Sequence, residues 1–404
     1  SYYSNGVLTF YCPKKIKFQS DSSSLFSQIG SSSSSVTIDF GNGIIDTSEV
    51  TNMATMFSQF YTTDLNLGQF NTSNVTNMSY MFAQVSTSST LDLSGFDTSK
   101  VTTFQSLFYY ASDLTSVDMS GFTISSSATV SDMFWGCSKL KKIVLPKSIA
   151  KTISLSNIGG SYSGGVWIAQ SGNSLTKITE IASTSAGKTA IIGGTISYTL
   201  VYGNWVSGYT PTTLFTIEQT VTLPTSSNIT RTGYTFGGWY SSSDFSGSAV
   251  TSIATSSYGA KTFYAKWTIN SYTLTIKPNG GTYGGTTSDT TIIQNYNTTY
   301  SVANPARTGY TFAGWTKSGE GSLSGTTFTF GAGNATLTAN WTVNNYTITS
   351  SPYSDTVYKT WAQGSTLNGN AGTVSINNVT GSPTVSASIA YGTKVTLKAV
   401  ANKG

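Results

Sequence analysis

DTSEVTNMATMFSQFYTTDLNLGQF (46–70), NTSNVTNMSYMFAQVSTSSTLDLSGF (71–96) and DTSKVTTFQSLFYYASDLTSVDMSGF (97–122) are three consecutive copies of one pattern. A degenerate fourth, TISSSATVSDMFWGCSKLKKIVLP (123–146), follows them, and a looser copy containing SLFSQIGSSSSSVTIDFGNG precedes them. The landmark phenylalanine falls at Phe26, Phe57, Phe82, Phe108 and Phe134, and its later intervals are 25, 26 and 26 residues. A register held that closely marks a repeat architecture. One unit alone cannot cover its apolar side, whereas stacked units bury a continuous core.

Each copy has two parts. VTNMxxMF places apolar residues three or four apart, as in Val75, Met78, Met81 and Phe82. That spacing predicts about two turns of amphipathic helix, too short to stand alone. LDLSGF alternates with period two and predicts a strand. The Asp-Thr or Asn-Thr before VTNM suits an N-cap or Asx-turn leading into the helix. The predicted fold class is therefore mainly β with short helices: a leucine-rich-repeat-like α/β solenoid followed by small β-grasp-like modules. Its strands should pair in parallel, with Ile38, Leu65, Leu91, Val117 and Ile143 in one inward column. The Met-Phe pairs, such as Met56 with Phe57 and Met81 with Phe82, should meet that column from the helix side.

DTSxVTNMxxMF, LDLSGFDTS and WGCSKL together resemble the BspA-like leucine-rich-repeat surface proteins of bacteria, over residues 18–146. The resemblance implies a secreted or surface-anchored adhesin or binding protein. Residues 1–17 would form an N-terminal cap, and 147–196, where the repeat fades into short Ser/Gly-rich strands, a C-terminal cap.

Two longer copies follow. RTGYTFGGW and RTGYTFAGW recur 76 residues apart, so that Arg231 matches Arg307 and Trp239 matches Trp315. RTGYTFxGW with a downstream YAKWT resembles the Listeria–Bacteroides repeat, the B-repeat type of the internalins. That resemblance implies a small β-grasp-like sheet serving as stalk or spacer, at 197–268 and again at 269–342. Residues 343–404 resemble the start of a related, divergent β repeat. Tryptophans fixed at the same place in each copy read as core anchors with a locally bonded N–H, rather than as sugar platforms. Arg231 and Arg307 read as packed on an aromatic ring.

Composition narrows the function. Histidine is absent from all 404 residues, so Ser-His-Asp, Cys-His and His-zinc mechanisms are excluded. Only 9% of residues are charged. Cys12 and Cys137 are too few for a disulfide framework or a structural zinc, and the expectation is that they are not bonded to each other. No catalytic residue, metal site or cofactor is assigned. A chain that starts at Ser1 without a basic and apolar leader, and ends on a strand-like alternation, reads as a mature or trimmed piece without its signal peptide and anchor. No apolar run is long enough to span a membrane, no motif suggests nucleic acid, and the chain is expected to be an extracellular monomer.

Charge is unevenly spread. From Phe18 to Met133 there are ten acids and one base, Lys100; from Phe134 to Leu200 there are seven bases and one acid, Glu180. Alternation leaves one outward residue per strand: Asp39, Asn66, Asp92, Asp118 and Val144, flanked by Gly41, Ser94 and Ser120. This row is the candidate docking face for a host or neighbouring-cell protein or glycan. The alternatives are a solvated sheet face, a structural spacer without ligand and, most remotely, a glycoside hydrolase using Asp92 with Asp118. Lys139, Lys141, Lys142, Lys147 and Lys151 form a candidate patch for an anionic partner.

Overall fold

The computed structural model describes residues 2–4, 7–9, 14–31, 35–38, 40, 43–87, 90–156, 158, 160–350, 352–353, 367–368, 372–376, 379–381 and 385–401. They fall into two compact units, Ser1–Thr230 with Phe236–Lys266, and Arg231–Thr235 with Trp267–Gly404. Asp39, Gly41 and Cys12 lie outside the described residues.

In the first unit the repeats stack as successive coils. Strands Thr90–Asp92, Ser116–Asp118 and Lys142–Val144 pair in parallel, with Leu91, Val117 and Ile143 in register. All three are at most 1% exposed, Leu65 is buried beside them, and Ile38 packs partly buried on the same core. Met53, Met56, Met78, Met81, Leu107 and Met133 are buried opposite. The landmark phenylalanines form one stacked column. Ring centroids run 5.4 Å from Phe26 to Phe57, 5.8 Å to Phe82, 5.8 Å to Phe108 and 5.2 Å to Phe134, with planes within 12° of parallel.

The second half of each coil is not helical, and the α/β class expected from its spacing is wrong. Among the described residues the one helical element is a single 3-10 turn, Ser183–Ser185. VTNMxxMF folds instead into linked four-residue turns. Met56 N–H donates to the Met53 carbonyl and Val85 N–H to that of Phe82. The third residue of such turns is left-handed: Thr55, Tyr80 and Ser106 at φ 54°, Gln84 at 53° and Tyr110 at 52°. The remaining N–H groups bond the next coil rather than their own. Met53, Thr55, Phe57 and Gln59 donate to Asn77, Ser79, Met81 and Ala83 at 2.8–2.9 Å. A helix of eight residues would fix six dihedrals for its first bond. The neighbouring coil offers a bond to every second residue with no nucleation step. Thr, Val and Asn, all weak helix formers, tip the balance further.

The D/N-T-S signature is an Asx-turn without a helix behind it. Asp46, Asn71 and Asp97 accept the N–H of Ser48, Ser73 and Ser99 at 3.0–3.1 Å. Between them Thr47, Thr72 and Thr98 are buried, and each hydroxyl donates to the next coil, on Asn71, Asp97 and Thr123, at 2.9–3.0 Å.

The parallel sheet ends on a long antiparallel strand, Thr189–Thr199, whose Thr189–Ile191 pairs with Lys142–Val144. This strand also pairs with Val166–Ser171 and Leu214–Thr216, and its last four residues pair in parallel with the start of Lys261–Ile269. The expected division at 196/197 falls inside it. Gly193 and Gly194 permit the crowding: a Cβ there would lie 1.8 Å from the Phe215 carbonyl oxygen and 1.9 Å from that of Gly259. Trp239 is 2% exposed and its N–H donates to the Pro224 carbonyl at 2.7 Å.

The second unit holds its own sheet, ordered Thr290–Asn295, Ser271–Lys277, Ala335–Val343, Tyr310–Gly319. Only the central pair is parallel. Leu274, Ile276, Val302, Phe328, Phe330 and Leu337 form the core. The Trp341 N–H donates to the Pro278 carbonyl at 3.1 Å, and Arg231 and Arg307 lie 3.6 and 3.8 Å over the rings of Tyr234 and Tyr310.

Candidate functional site

Of the outward row, Asp92 and Asp118 come together in register, whereas Asn66 lies outside any strand. Asp92 faces Asp118 across the parallel pair. Each is the head of a local turn. Asp92 accepts the Ser94 N–H at 2.9 Å, Asp118 that of Ser120 at 2.8 Å, and Asn66 that of Gly68 at 3.1 Å. Asn66, Asp92 and Ser94 are exposed; Asp118 and Ser120 are half-buried. The hydroxyl and N–H of Ser94 hold the Asp92 carboxyl below the usual carboxylate range. One carboxylate oxygen is thus committed to the turn. Asp39 lies outside the described residues.

The lysine patch is less open than its sequence suggests. Lys139 is paired with Asp113 at 2.7 Å and Lys142 with Glu218 at 2.9 Å. Lys141, Lys147 and Lys151 are exposed, and Lys147 contributes to keeping the Asp97 carboxyl low, behind the larger effect of Ser99. The Asp113 carboxyl is itself held low by Lys139 and by the Ser86 hydroxyl. That three-coil link between Ser86, Asp113 and Lys139 was not foreseen; nothing in the pattern distinguishes Asp113 from a solvated acid.

A cavity of about 580 Å³ opens beside the last coil, lined among others by Leu140, Tyr162, Trp167, Lys177 and Ile192. No carboxylate lines it. Cys137 is buried, unpaired and pushed up to about 12 by its burial, with its thiol donating to the Phe108 carbonyl at 3.0 Å. It is a small core residue. Among the described residues no cluster of three or more His, Cys, Asp or Glu could hold a metal, and no helix is long and apolar enough to cross a membrane, which leaves β-barrels untouched.

Sequence reasoning missed a second exposed surface, on the turn side of the coils. Tyr80, Tyr110 and Trp135 are 37, 50 and 39% exposed, with Tyr109 between them. The signal was present: FYY at 108–110 and Trp135 put aromatics where the first full copy has Ser58 and Gln59.

Comparison with known proteins places these features. Residues 21–146 match the family model described as "Mycoplasma protein of unknown function, DUF285". Residues 195–266 and 272–343 match the Listeria-Bacteroides repeat domain. A "Putative Gly-rich membrane protein" of Evansella cellulosilytica is 34% identical over 134 residues, covering 30% of this chain and only 15% of that protein. No solved structure gives a significant match. The resemblance of 18–146 to BspA-like leucine-rich repeats is therefore corrected. The model matched there is one of unknown function, and a leucine-rich-repeat solenoid needs the row of helices that these coils replace with turns. Neither matched description names a catalytic activity: one family is of unknown function and the other is a repeat domain. The matches support a generic surface repeat protein and name no ligand.

Proposed function

We propose that this chain is a bacterial cell-surface adhesin or ligand-binding protein, with the coil stack as recognition head and the β repeats as stalk. The observation that carries the reading is the register of the stack. Asp92 and Asp118 are paired residues on adjacent strands, so an extended partner meets the same side chain on two successive coils and weak contacts sum. The strands are rigid, which lowers the ordering cost of binding. The partner is a protein or glycan of a host or neighbouring cell. The extracellular location, the caps at 1–17 and 147–196 and the partial repeat at 343–404 belong to the same proposal. The relative described as a membrane protein supports a surface setting.

A joint between repeats supports the stalk. Gly233 and Gly309 sit at φ 77° and 79°, and Tyr296 and Tyr391 lie directly above them. In each case an asparagine of the following repeat, Asn270 or Asn344, donates to the glycine carbonyl at 3.0 or 2.9 Å. The same asparagines accept the hydroxyls of Thr235 and Thr311 at 2.7 and 2.6 Å. The RTGYT motif is thus a socket, used twice in the same form.

One observation favours the rival reading, a structural spacer without ligand: the row's acids already serve their own turns. The test is binding of the full chain to host-matrix proteins and a glycan array, with and without Asp92→Ser and Asp118→Ser. Serine keeps a turn-forming hydroxyl. The proposal expects weaker binding, by roughly 0.2–1 kcal/mol per exposed site, and a difference from the parent that shrinks as salt screens the acids. Equal binding by the double variant overturns the row, and absence of any ligand favours the spacer.

A further inference from the structure

We propose that the turn side of the coil stack, opposite in chemistry to the acidic strand row, carries a binding site for a neutral glycan built on Tyr80, Tyr109, Tyr110 and Trp135. These residues come from three consecutive coils. Backbone bonds lock them together: Tyr80 N–H donates to Gln105, Gln84 N–H to Tyr109, and Tyr110 N–H to Trp135, at 2.9, 2.7 and 2.6 Å. The Tyr109 ring lies 6.1 Å from that of Tyr80 and 4.8 Å from that of Tyr110. Coils at this interval repeat every 5–6 Å, as the phenylalanine column beneath them shows. That is about the length of one sugar residue in an extended polysaccharide.

Three features select a sugar. A pyranose has apolar faces and hydroxyl edges, so its natural partner is a flat ring with hydrogen-bonding groups beside it. Here the rings carry three phenolic hydroxyls and an indole N–H, and the neighbours are the amides of Gln84 and Gln105 and the carboxylate of Asp132, all exposed. Gln84 is further held by the Gln59 amide at 3.1 Å. Secondly, these ridge positions carry no cation and a single acid, which suits a neutral ligand and not a polyanion. Thirdly, the ridge is bounded and preformed. The preceding coil has Thr55, Ser58 and Gln59 at the matching positions. Gly136 stands under the Tyr110 ring, where a Cβ would approach its Cγ and Cδ1 to 3.0 Å. A protein-docking hot spot would instead gather its aromatics, commonly with arginine, around one desolvated centre. Here the rings are dealt out coil by coil, and no arginine is among them.

The test is interferometry of the full chain on immobilised dextran, mannan and β-glucan, with heparin as the anionic control. The expected result is binding to at least one neutral polysaccharide, insensitive to salt. Tyr110→Ala with Trp135→Ala should weaken it about tenfold or more, the scale of one lost ring contact. Tyr110→Phe, which keeps the ring, should stay within about twofold of the parent. Should the double variant fail to keep its circular dichroism spectrum, Tyr80→Ala alone gives the same reading. Asp92→Ser with Asp118→Ser should leave this binding unchanged, so failure here and failure of the strand-row reading are distinguishable. The proposal is overturned by no binding to any neutral polysaccharide, by binding that survives loss of the rings, by binding to heparin alone, or by a protein partner captured through the same rings in place of a sugar.

Discussion

The chain repeats itself in two ways, and the two halves put their bonds in different places. In the coils at 46–146 most turn and strand N–H groups bond the neighbouring copy, and the phenylalanine column runs through all copies. In the repeat at 272–343 the copy closes a core of its own around Leu274, Ile276 and Leu337. Its bonds to adjoining repeats include one small socket at each RTGYT motif. Stability in the first kind of repeat is a nearest-neighbour property; in the second it belongs to the unit. A surface that must present many identical side chains at close spacing needs the first kind, and a spacer of variable copy number needs the second.

The sharpest way to break this contrast is a core deletion in each half. Phe82→Ala removes a fully buried ring stacked at 5.8 Å on both sides, and should cost about 3–5 kcal/mol. Phe328→Ala removes a comparably buried ring of the second unit. Denaturant titrations followed by fluorescence and circular dichroism should show the first variant losing the coil transition and the second only the repeat transition.

Next in size is the socket. Gly309→Val places a branched side chain at φ 79° and drives its Cβ into the Tyr391 ring. Small-angle scattering should report altered joints between repeats, while the core of the repeat, read by Trp341 fluorescence, is kept. Loss of the whole repeat fold would mean that the socket is part of the core.

A smaller effect is expected at the buried threonine ladder. Thr72→Val leaves the Asp97 carbonyl without its hydroxyl donor, and should lower coil stability by about 1–3 kcal/mol in thermal unfolding. The smallest is pH-dependent. The Asp113 carboxyl is depressed by Lys139 and Ser86, so its contribution is present above the unfolded carboxylate value, about 4, and fades as pH falls through its lower folded value. Both partners are largely exposed, so solvent screening limits it to about 0.5 kcal/mol. Asp113→Asn should lower stability by about that amount at neutral pH, and its difference from the parent should vanish in acid, read from unfolding midpoints across the pH range.

The period and the strand register were legible from the start: Leu91, Val117 and Ile143 announce themselves by alternation. The helix was not, because an apolar interval of three or four residues fits two turns of helix and two linked turns equally. The left-handed positions are filled by Thr55, Tyr80, Gln84 and Tyr110 rather than glycine, so the usual marker of such turns is missing. Asp-x-Ser at 92–94 and 118–120 did carry an Asx-turn signal that outward alternation obscured. The aromatic ridge was readable only by asking which copies depart from the pattern.

The most direct test of copy-to-copy bonding is hydrogen–deuterium exchange on the full chain carrying Phe82→Ala. The account predicts that amides across 46–146, including those of Phe57 and Phe108, lose protection together while 272–343 keeps its own. Loss confined to residues 71–96, with the flanking coils still protected, would contradict it.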